Sequence, residues 1–296
     1  MHSMKEFYQA KYRDNLFVVK AGGRMIADEA SRKSLLSDIK ELTDDGIKVL
    51  LVYGGGHAID QALEGANIEP RKVNGRRITG SCEMQLIKGV MAADLGFKVA
   101  STMAELDLYG LTLGCTPPSW IKVTPRPRDN PDDYGYDGTI DDVALDKVHK
   151  AFDGVNFIAT PCLSATTKDG ININADNVAV ALAIGAQARK LIFLSDVDGV
   201  LIDGETAPFI TDAEIPKLIE DEIVTGGMRV KMENCLHALQ SGVKRIHLLD
   251  GFRPNALRSE IYDSIGPATM LLPEENRQAY LNEIETHKVI KKALGE

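Results

Sequence analysis

Cysteine is scarce in this 296-residue chain, and its four copies (Cys82, Cys115, Cys162, Cys235) lie too far apart to form a C-x-x-C pair. That scatter argues against a disulfide frame or a zinc site and points to reduced thiols in a cytoplasmic setting. The six histidines show no metal-ligand spacing, so no metal is assigned to protein side chains. Positive charge is also short: 34 Lys and Arg against 43 Asp and Glu give a net charge of -9. Phosphate backbones select basic surfaces, so nucleic acid is not an expected partner. Any anion bound here must be held by a local site rather than by a global field. No apolar run approaches the length of a membrane span, and Met1-His2-Ser3-Met4-Lys5 lacks the apolar core of a signal peptide. A membrane partner is therefore not expected, and the chain reads as cytoplasmic. Two phosphate-binding motifs are missing as well. There is no G-x-x-x-x-G-K-[ST] loop, and Gly54-Gly55-Gly56-His57 lacks dinucleotide-fingerprint spacing.

What is present is an alternation of apolar runs and helical stripes. Hydrophobic residues make up 44% of the chain, enough for a sizeable core. Leu16–Val19, Val49–Tyr53, Val155–Ile158, Leu191–Leu194 and Ile246–Leu249 read as strands. Leu36, Ile39 and Leu42 mark a helix stopping near Gly46; Val178–Ile184 and the Met228-Met232-Cys235-Leu239 stripe mark two more. Asp169-Gly170 predicts a tight hairpin turn. The Pro-, Asp-, Tyr- and Gly-rich stretch from Thr116 to Gly138 predicts a loop or lid, and Tyr280, Leu281 and Ile284 one helical face in the charged tail. This rhythm predicts an α/β fold: a central, mainly parallel sheet covered by helices on both faces, in one domain with two lobes.

The chemistry-bearing residues cluster at the ends of the predicted strands. Lys20 closes a buried run just before Gly22-Gly23, and such an ammonium needs either an anion or a path to solvent. Gly54-Gly55 ends the second strand, where freed backbone amides can face an anion or simply make a turn. Lys231 follows Gly226-Gly227 at a helix start. Asp176 follows Asn172 and Asn174, as a site carboxylate or as a helix N-cap; the two asparagines share a face if that segment is extended. Asn74-Gly75-Arg76-Arg77 offers a turn whose guanidinium groups either face solvent or grip a carboxylate bidentately. Ser195-Asp196-Val197-Asp198-Gly199 follows a strong strand, where a ligand or a plain turn can sit. Two ammonium groups, glycine-freed amides and one carboxylate are what phosphoryl transfer uses, since its transition state spreads negative charge over oxygen.

In order and context these motifs resemble the amino acid kinase family, and its acetylglutamate branch most closely, from about Phe17 to Leu272. The resemblance rests on Lys20-Ala-Gly-Gly, Tyr53-Gly-Gly-Gly, Val73-Asn-Gly-Arg-Arg-Ile-Thr, Asn172-Ile-Asn-Ala-Asp, Leu194-Ser-Asp-Val-Asp-Gly-Val-Leu and Gly226-Gly-Met-Arg-Val-Lys. It implies a three-layer α/β/α sandwich that passes the γ-phosphoryl group of ATP, with Mg²⁺, to the side-chain carboxylate of N-acetyl-L-glutamate, a step of arginine biosynthesis. Lys20, Lys231 and Asp176 would be the catalytic group. Gly22, Gly23, Gly54, Gly55, Arg77, Asn172 and Asn174 would bind the acceptor; Ser195, Asp196, Gly226 and Gly227 would bind the nucleotide. One kinase-like domain over 1–296 would comprise a helix at about 4–14, an acceptor lobe at 15–183, a nucleotide lobe at 184–272 and an extension at 273–296. Ala21 stands where the family has a bulkier residue, and Tyr53 where it has histidine, expected at the floor of the acceptor pocket. Another N-acylated amino acid is therefore an alternative acceptor, and a kinase-like regulator without turnover an alternative role. Glu6–Asp14 and Glu260–Met270 resemble segments of arginine-inhibited hexameric members, with Ala268 in place of glycine. A homo-oligomer (dimer or hexamer) and inhibition by arginine are what this implies.

Overall fold

A computed structural model describes residues 4–73, 76–126, 134–262 and 268–294. The chain starts with α1 (Met4–Tyr12), then β1 (Leu16–Ala21), α2 (Gly23–Ala27), α3 (Glu29–Asp44), β2 (Lys48–Tyr53) and α4 (Gly56–Gly65). Next come α5 (Ser81–Lys88), a π-helical stretch (Gly89–Leu95), α6 (Gly96–Glu105), β3 (Leu111–Thr112), α7 (Leu145–Ala151), β4 (Phe157–Pro161) and α8 (Ala175–Gly185). The remainder runs β5 (Lys190–Ser195), β6 (Phe209–Thr211), α9 (Ile215–Glu220), α10 (Gly226–Gln240), β7 (Ile246–Asp250), α11 (Ala256–Tyr262), β8 (Ala268–Leu272) and α12 (Arg277–Leu294).

Among the described residues the central sheet has eight strands, in the spatial order β6-β8-β7-β5-β1-β2-β4-β3. Every neighbouring pair is parallel except β7 with β8. The four central strands are continuous apolar runs because helices cover both faces, leaving no wet side to alternate toward. Phe17, Phe157 and Phe193 are fully buried, each contributing roughly 1.5–3 kcal/mol of burial free energy. On one face α8 packs over β1, β2 and β5 and against α10; on the other α3 packs over β2 and against α6 and α11. Local chemistry fixes the helix ends. Asp28 caps α3 by accepting the Ser31 N–H at 2.8 Å, and Gly46 leaves that helix at φ +86°, in the left-handed region.

Three segments differ from or refine what the sequence predicts. Thr116–Gly138 is not all loop: Ile121–Pro125 pairs antiparallel with Gly138–Val143, because Ile121 and Val123 alternate inward to the core. The rest of the expected lid, 127–133, lies outside the described residues, as do the Asn74-Gly75 turn and 263–267 of the arginine-type segment. The third strand begins at Phe157 rather than Val155, and runs to Pro161. The expected hairpin at Asp169-Gly170 is present, joining Leu163–Ser164 to Ile171–Asn172 with Gly170 at φ +87°. Among the described residues no helix is long and apolar enough to cross a membrane.

Candidate active site

The neighbouring strands β1 and β5 send the chain to opposite sides of the sheet, β1 on to β2 and β5 on to β6, which opens a crevice at the carboxyl ends of the strands. Lys20 and the loop after β1 arrive here, with Gly54-Gly55-Gly56 after β2, Ser195-Asp196 after β5 and Phe252 after β7. Together they line a cleft of about 750 Å³. The two glycine turns touch backbone to backbone. A Cβ on Gly23 would fall 2.6 Å from both the Gly54 carbonyl oxygen and the Gly55 Cα, so only hydrogen fits. Gly55 in turn sits on the Met91 sulfur, 2.2 Å from where its own Cβ would be.

At the centre, Asp176 lies between two ammonium groups. Lys20 Nζ is 2.9 Å from Oδ1 and Lys231 Nζ is 3.2 Å from Oδ2. The Lys231 contact is a hydrogen bond and the Lys20 contact an ion pair, and Oδ1 has no further partner among the described residues. Burial alone would raise the Asp176 pKa, but the nearby Lys20 and Lys231 charges prevail and hold it down at about 2. Lys231 also sits 4.8 Å above the Phe193 ring centroid, a cation–π contact that fixes its direction. Cys162 and Cys235 are buried beside the two lysines, and burial raises the Cys162 thiol to about 12, so it stays neutral.

Asn174, rather than Asp176, caps α8: its side-chain oxygen accepts the N–H groups of Asp176 and Asn177 at 2.9 and 3.2 Å. This assignment frees the Asp176 carboxylate for the lysines. Asn172 donates to the Thr79 hydroxyl at 3.3 Å. Arg77 is almost buried, its Nη2 bonded to Asp60 and to the Gly56 carbonyl, while its buried Nη1 has no partner among the described residues. An unpaired buried guanidinium nitrogen on a cleft wall is a donor group positioned for an anion. Ser195 Oγ is likewise buried without a partner among the described residues.

The structure therefore brings Lys20, Lys231, Asp176, Gly22, Gly23, Gly54, Gly55, Arg77, Asn172, Asn174, Ser195, Asp196 and Gly227 to one cleft. Gly226 stands just outside the lining, at φ +53°, where it turns the chain into α10. Tyr53 departs from expectation. Its side chain is fully buried beneath the Gly54 turn, with the hydroxyl 3.4 Å from the Met91 carbonyl of the π-helical stretch, not in the acceptor pocket floor. Sequence reasoning missed Arg24 and Phe252; Arg24 was legible as the first side chain after the Gly22-Gly23 pair. Among the described residues, five lysines and arginines line the cleft against three aspartates, an excess of positive charge in an acidic molecule. Such a site can hold a polyphosphate and a carboxylate and stabilise charge moving between them.

Residues 15–250 match the family model described as Amino acid kinase family. The chain is 32% identical to the acetylglutamate kinase of a Nitratiruptor species, over 88% of this chain and 93% of that one. It is 33% identical to the acetylglutamate kinase of Halothermothrix orenii, over 90% and 94% of the two chains. In three dimensions it resembles N-acetylglutamate synthase from Neisseria gonorrhoeae, solved with coenzyme A and N-acetyl-glutamate, at a TM-score of 0.80 and 21% identity. That match covers 92% of this chain but only 62% of the synthase chain, so it speaks to the fold. The same synthase solved with L-arginine gives a TM-score of 0.78 at 21% identity, over 92% of this chain and 64% of the synthase.

Proposed function

The chain belongs to the amino acid kinase family, and from that premise we propose that it transfers the γ-phosphoryl group of ATP to the side-chain carboxylate of N-acetyl-L-glutamate, in arginine biosynthesis. The observation that carries the proposal is the Asp176 carboxylate held between Lys20 and Lys231 at the meeting point of two glycine turns. An acceptor carboxylate is already ionised, so no general base is required. Asp176 instead orients two ammonium groups, which meet the charge that builds on the moving phosphoryl oxygens. The amides of Gly22, Gly23 and Gly55 supply further donors along that path, and Gly54, whose own N–H is taken by the Ala21 carbonyl at 3.2 Å, shapes the turn that carries them. Arg77, with Nη1 unpaired, holds the α-carboxylate of the acceptor, with Asn172 beside it.

Residues 15–183 form the acceptor lobe and 184–272 the nucleotide lobe, where Ser195, Asp196, Gly226 and Gly227 receive ATP. Among the described residues no three His, Cys, Asp or Glu side chains cluster as a metal cage, and Asp176 is taken up by lysines. That donor set fits a Mg²⁺ ion held mainly by ATP phosphates and water, with Asp196 at the cleft edge, and the ion supplies charge neutralisation when bound.

Inhibition by arginine is a second reading with its own observation. Lys190, His247 and Glu260 form a buried polar cluster near α1. His247 Nδ1 meets Glu260, His247 Nε2 has no partner among the described residues, and the Lys190 ammonium lies 5.0 Å from the Tyr12 ring centroid. A dimer or hexamer would accompany that regulation.

The test is ATP- and Mg²⁺-dependent acyl phosphate formation trapped with hydroxylamine, comparing N-acetylglutamate with glutamate, aspartate and N-acetylaminoadipate, with and without arginine. A signal confined to N-acetylglutamate is expected, and arginine should lower it. A signal with another acceptor alone would move the substrate. Bound ATP with no signal would move the chain to a regulatory role.

A further inference from the structure

The Arg24 side chain is the first to follow the Gly22-Gly23 turn, and it lines the catalytic cleft. Its Nη2 donates to Asp196 Oδ2 at 2.8 Å, and its guanidinium lies 5.2 Å from the Phe252 ring centroid. Beside it Met25 plugs the chain after β7: a Cβ on Gly251 would fall 2.1 Å from the Met25 methyl. The Arg24 backbone is thereby fixed, while the guanidinium rests on a ring and on one carboxylate. That carboxylate is a weak hold. Both side chains are more than half exposed, at 56% and 62%, and ion pairs so open to water are worth little. Of the five N–H donors of an arginine, only one is engaged by a protein acceptor among the described residues.

We infer that Arg24 is a further substrate-contacting residue: its guanidinium leaves Asp196 and binds phosphate oxygens of the nucleotide beyond the α-phosphate. The inference rests on the nucleotide-binding reading given above. Three features support it. Arg24 sits next in sequence to the glycine amides that face the phosphoryl path. A planar guanidinium matches two phosphate oxygens at once, which gives bidentate, charge-assisted hydrogen bonds stronger than its exposed pair with one aspartate. The Phe252 ring holds the guanidinium plane at the cleft mouth before any ligand arrives, so less freedom is lost when the phosphate binds.

Calorimetric titration of the full chain with AMP-PNP, ADP and AMP tests this directly. Arg24→Ala is expected to weaken AMP-PNP at least tenfold and to leave AMP within about twofold, as for loss of a charged phosphate contact. Arg24→Lys should recover part of the loss, because it restores charge but not the bidentate fit. Phe252→Ala should weaken AMP-PNP by a smaller factor. Equal losses for AMP and AMP-PNP would make Arg24 a structural latch and overturn the inference, as would unchanged binding of both. A melting temperature within about 2 °C of wild type checks that the variant is folded. The binding readout is separate from catalysis. Wild-type protein that binds AMP-PNP but forms no acyl phosphate would defeat the proposed reaction and leave the Arg24 contact measurable. Wild-type protein that binds no nucleotide would overturn both.

Discussion

Asp176 is the residue whose surroundings most constrain the chemistry. A carboxylate held at a pKa of about 2 cannot take up a proton near neutrality, so it serves as a fixed negative charge that aims two lysines. Lys20→Ala and Lys231→Ala should each lower kcat on the order of a hundredfold or more, the usual loss when a transition-state charge contact is removed. Arg77→Ala should behave differently and chiefly raise the acceptor KM, because an α-carboxylate is bound alike in ground and transition states. Steady-state kinetics on the three variants checks both halves; equal kcat for wild type and the lysine variants would refute the assigned roles. Lys20 was legible in the sequence because a lysine at the end of a buried strand is costly without a partner. The identity of its partner was not, since Asp176 lies 156 positions away and could equally have capped a helix. Asn174 took the cap, and which of two neighbouring polar side chains turns back to the helix amides is a question of backbone angle that composition does not answer.

At the scale of elements, the C-terminal helix lies beyond the 15–250 stretch that matches the family model. Glu283 on α12 accepts from Lys11 of α1 and from Arg245 at the entry to β7, and the two cations hold its carboxyl down at about 2 against the effect of burial. Tyr280 packs edge-on against Phe209 of β6 at 5.4 Å, and Arg277 pairs with Glu214 and Glu274. One helix thus ties the first helix to the far half of the sheet. Glu283→Gln removes one charge and leaves two cations facing a neutral amide. It should cost about 1–2 kcal/mol of stability, discounted for partial exposure, as read from the urea midpoint. A midpoint equal to wild type would mean that the clasp contributes nothing net. Sequence periodicity showed the helical face of Tyr280, Leu281 and Ile284; what that face packs on was not local information. The π-helical stretch 89–95 was also invisible, because one extra residue per turn leaves the composition of a helix unchanged.

Taken whole, the molecule titrates as a sum of buried groups of opposite sign. Burial and the neighbouring Lys190 charge lower the His247 pKa from 6.5 to about 4. A depressed folded-state pKa gives stability that is present above pH 6.5 and lost as pH falls through about 4. Asp38 works the other way. Burial raises its pKa to about 6, so its contribution is present below 3.8 and lost as pH rises through 6. The two partly cancel in wild type between pH 4 and 6. Comparison with His247→Gln separates them: the wild-type stability should fall relative to the variant as pH drops from 6.5 to 4, measured by chemical denaturation across that range. A constant difference would mean that His247 titrates normally. At this same scale the fold was largely legible. The central strands β1, β2, β5 and β7 announce themselves because continuous apolar runs follow from burial on both faces. The edge strands β3 and β6 do not, since two or three residues carry no period.

The contact between Gly23 and Gly55 has a consequence for how such a site can change over generations. A methyl group on Gly23 would meet the Gly54-Gly55 main chain, so that position cannot be explored one substitution at a time, whereas one on Gly55 would meet the Met91 side chain. Any side chain at Gly23 collides with main chain, which cannot step aside as a flexible side chain does. A lineage that inherits this junction inherits its phosphoryl path as a fixed part. New acceptors are then reached by altering the walls around it, at positions such as Arg77 and Asn172.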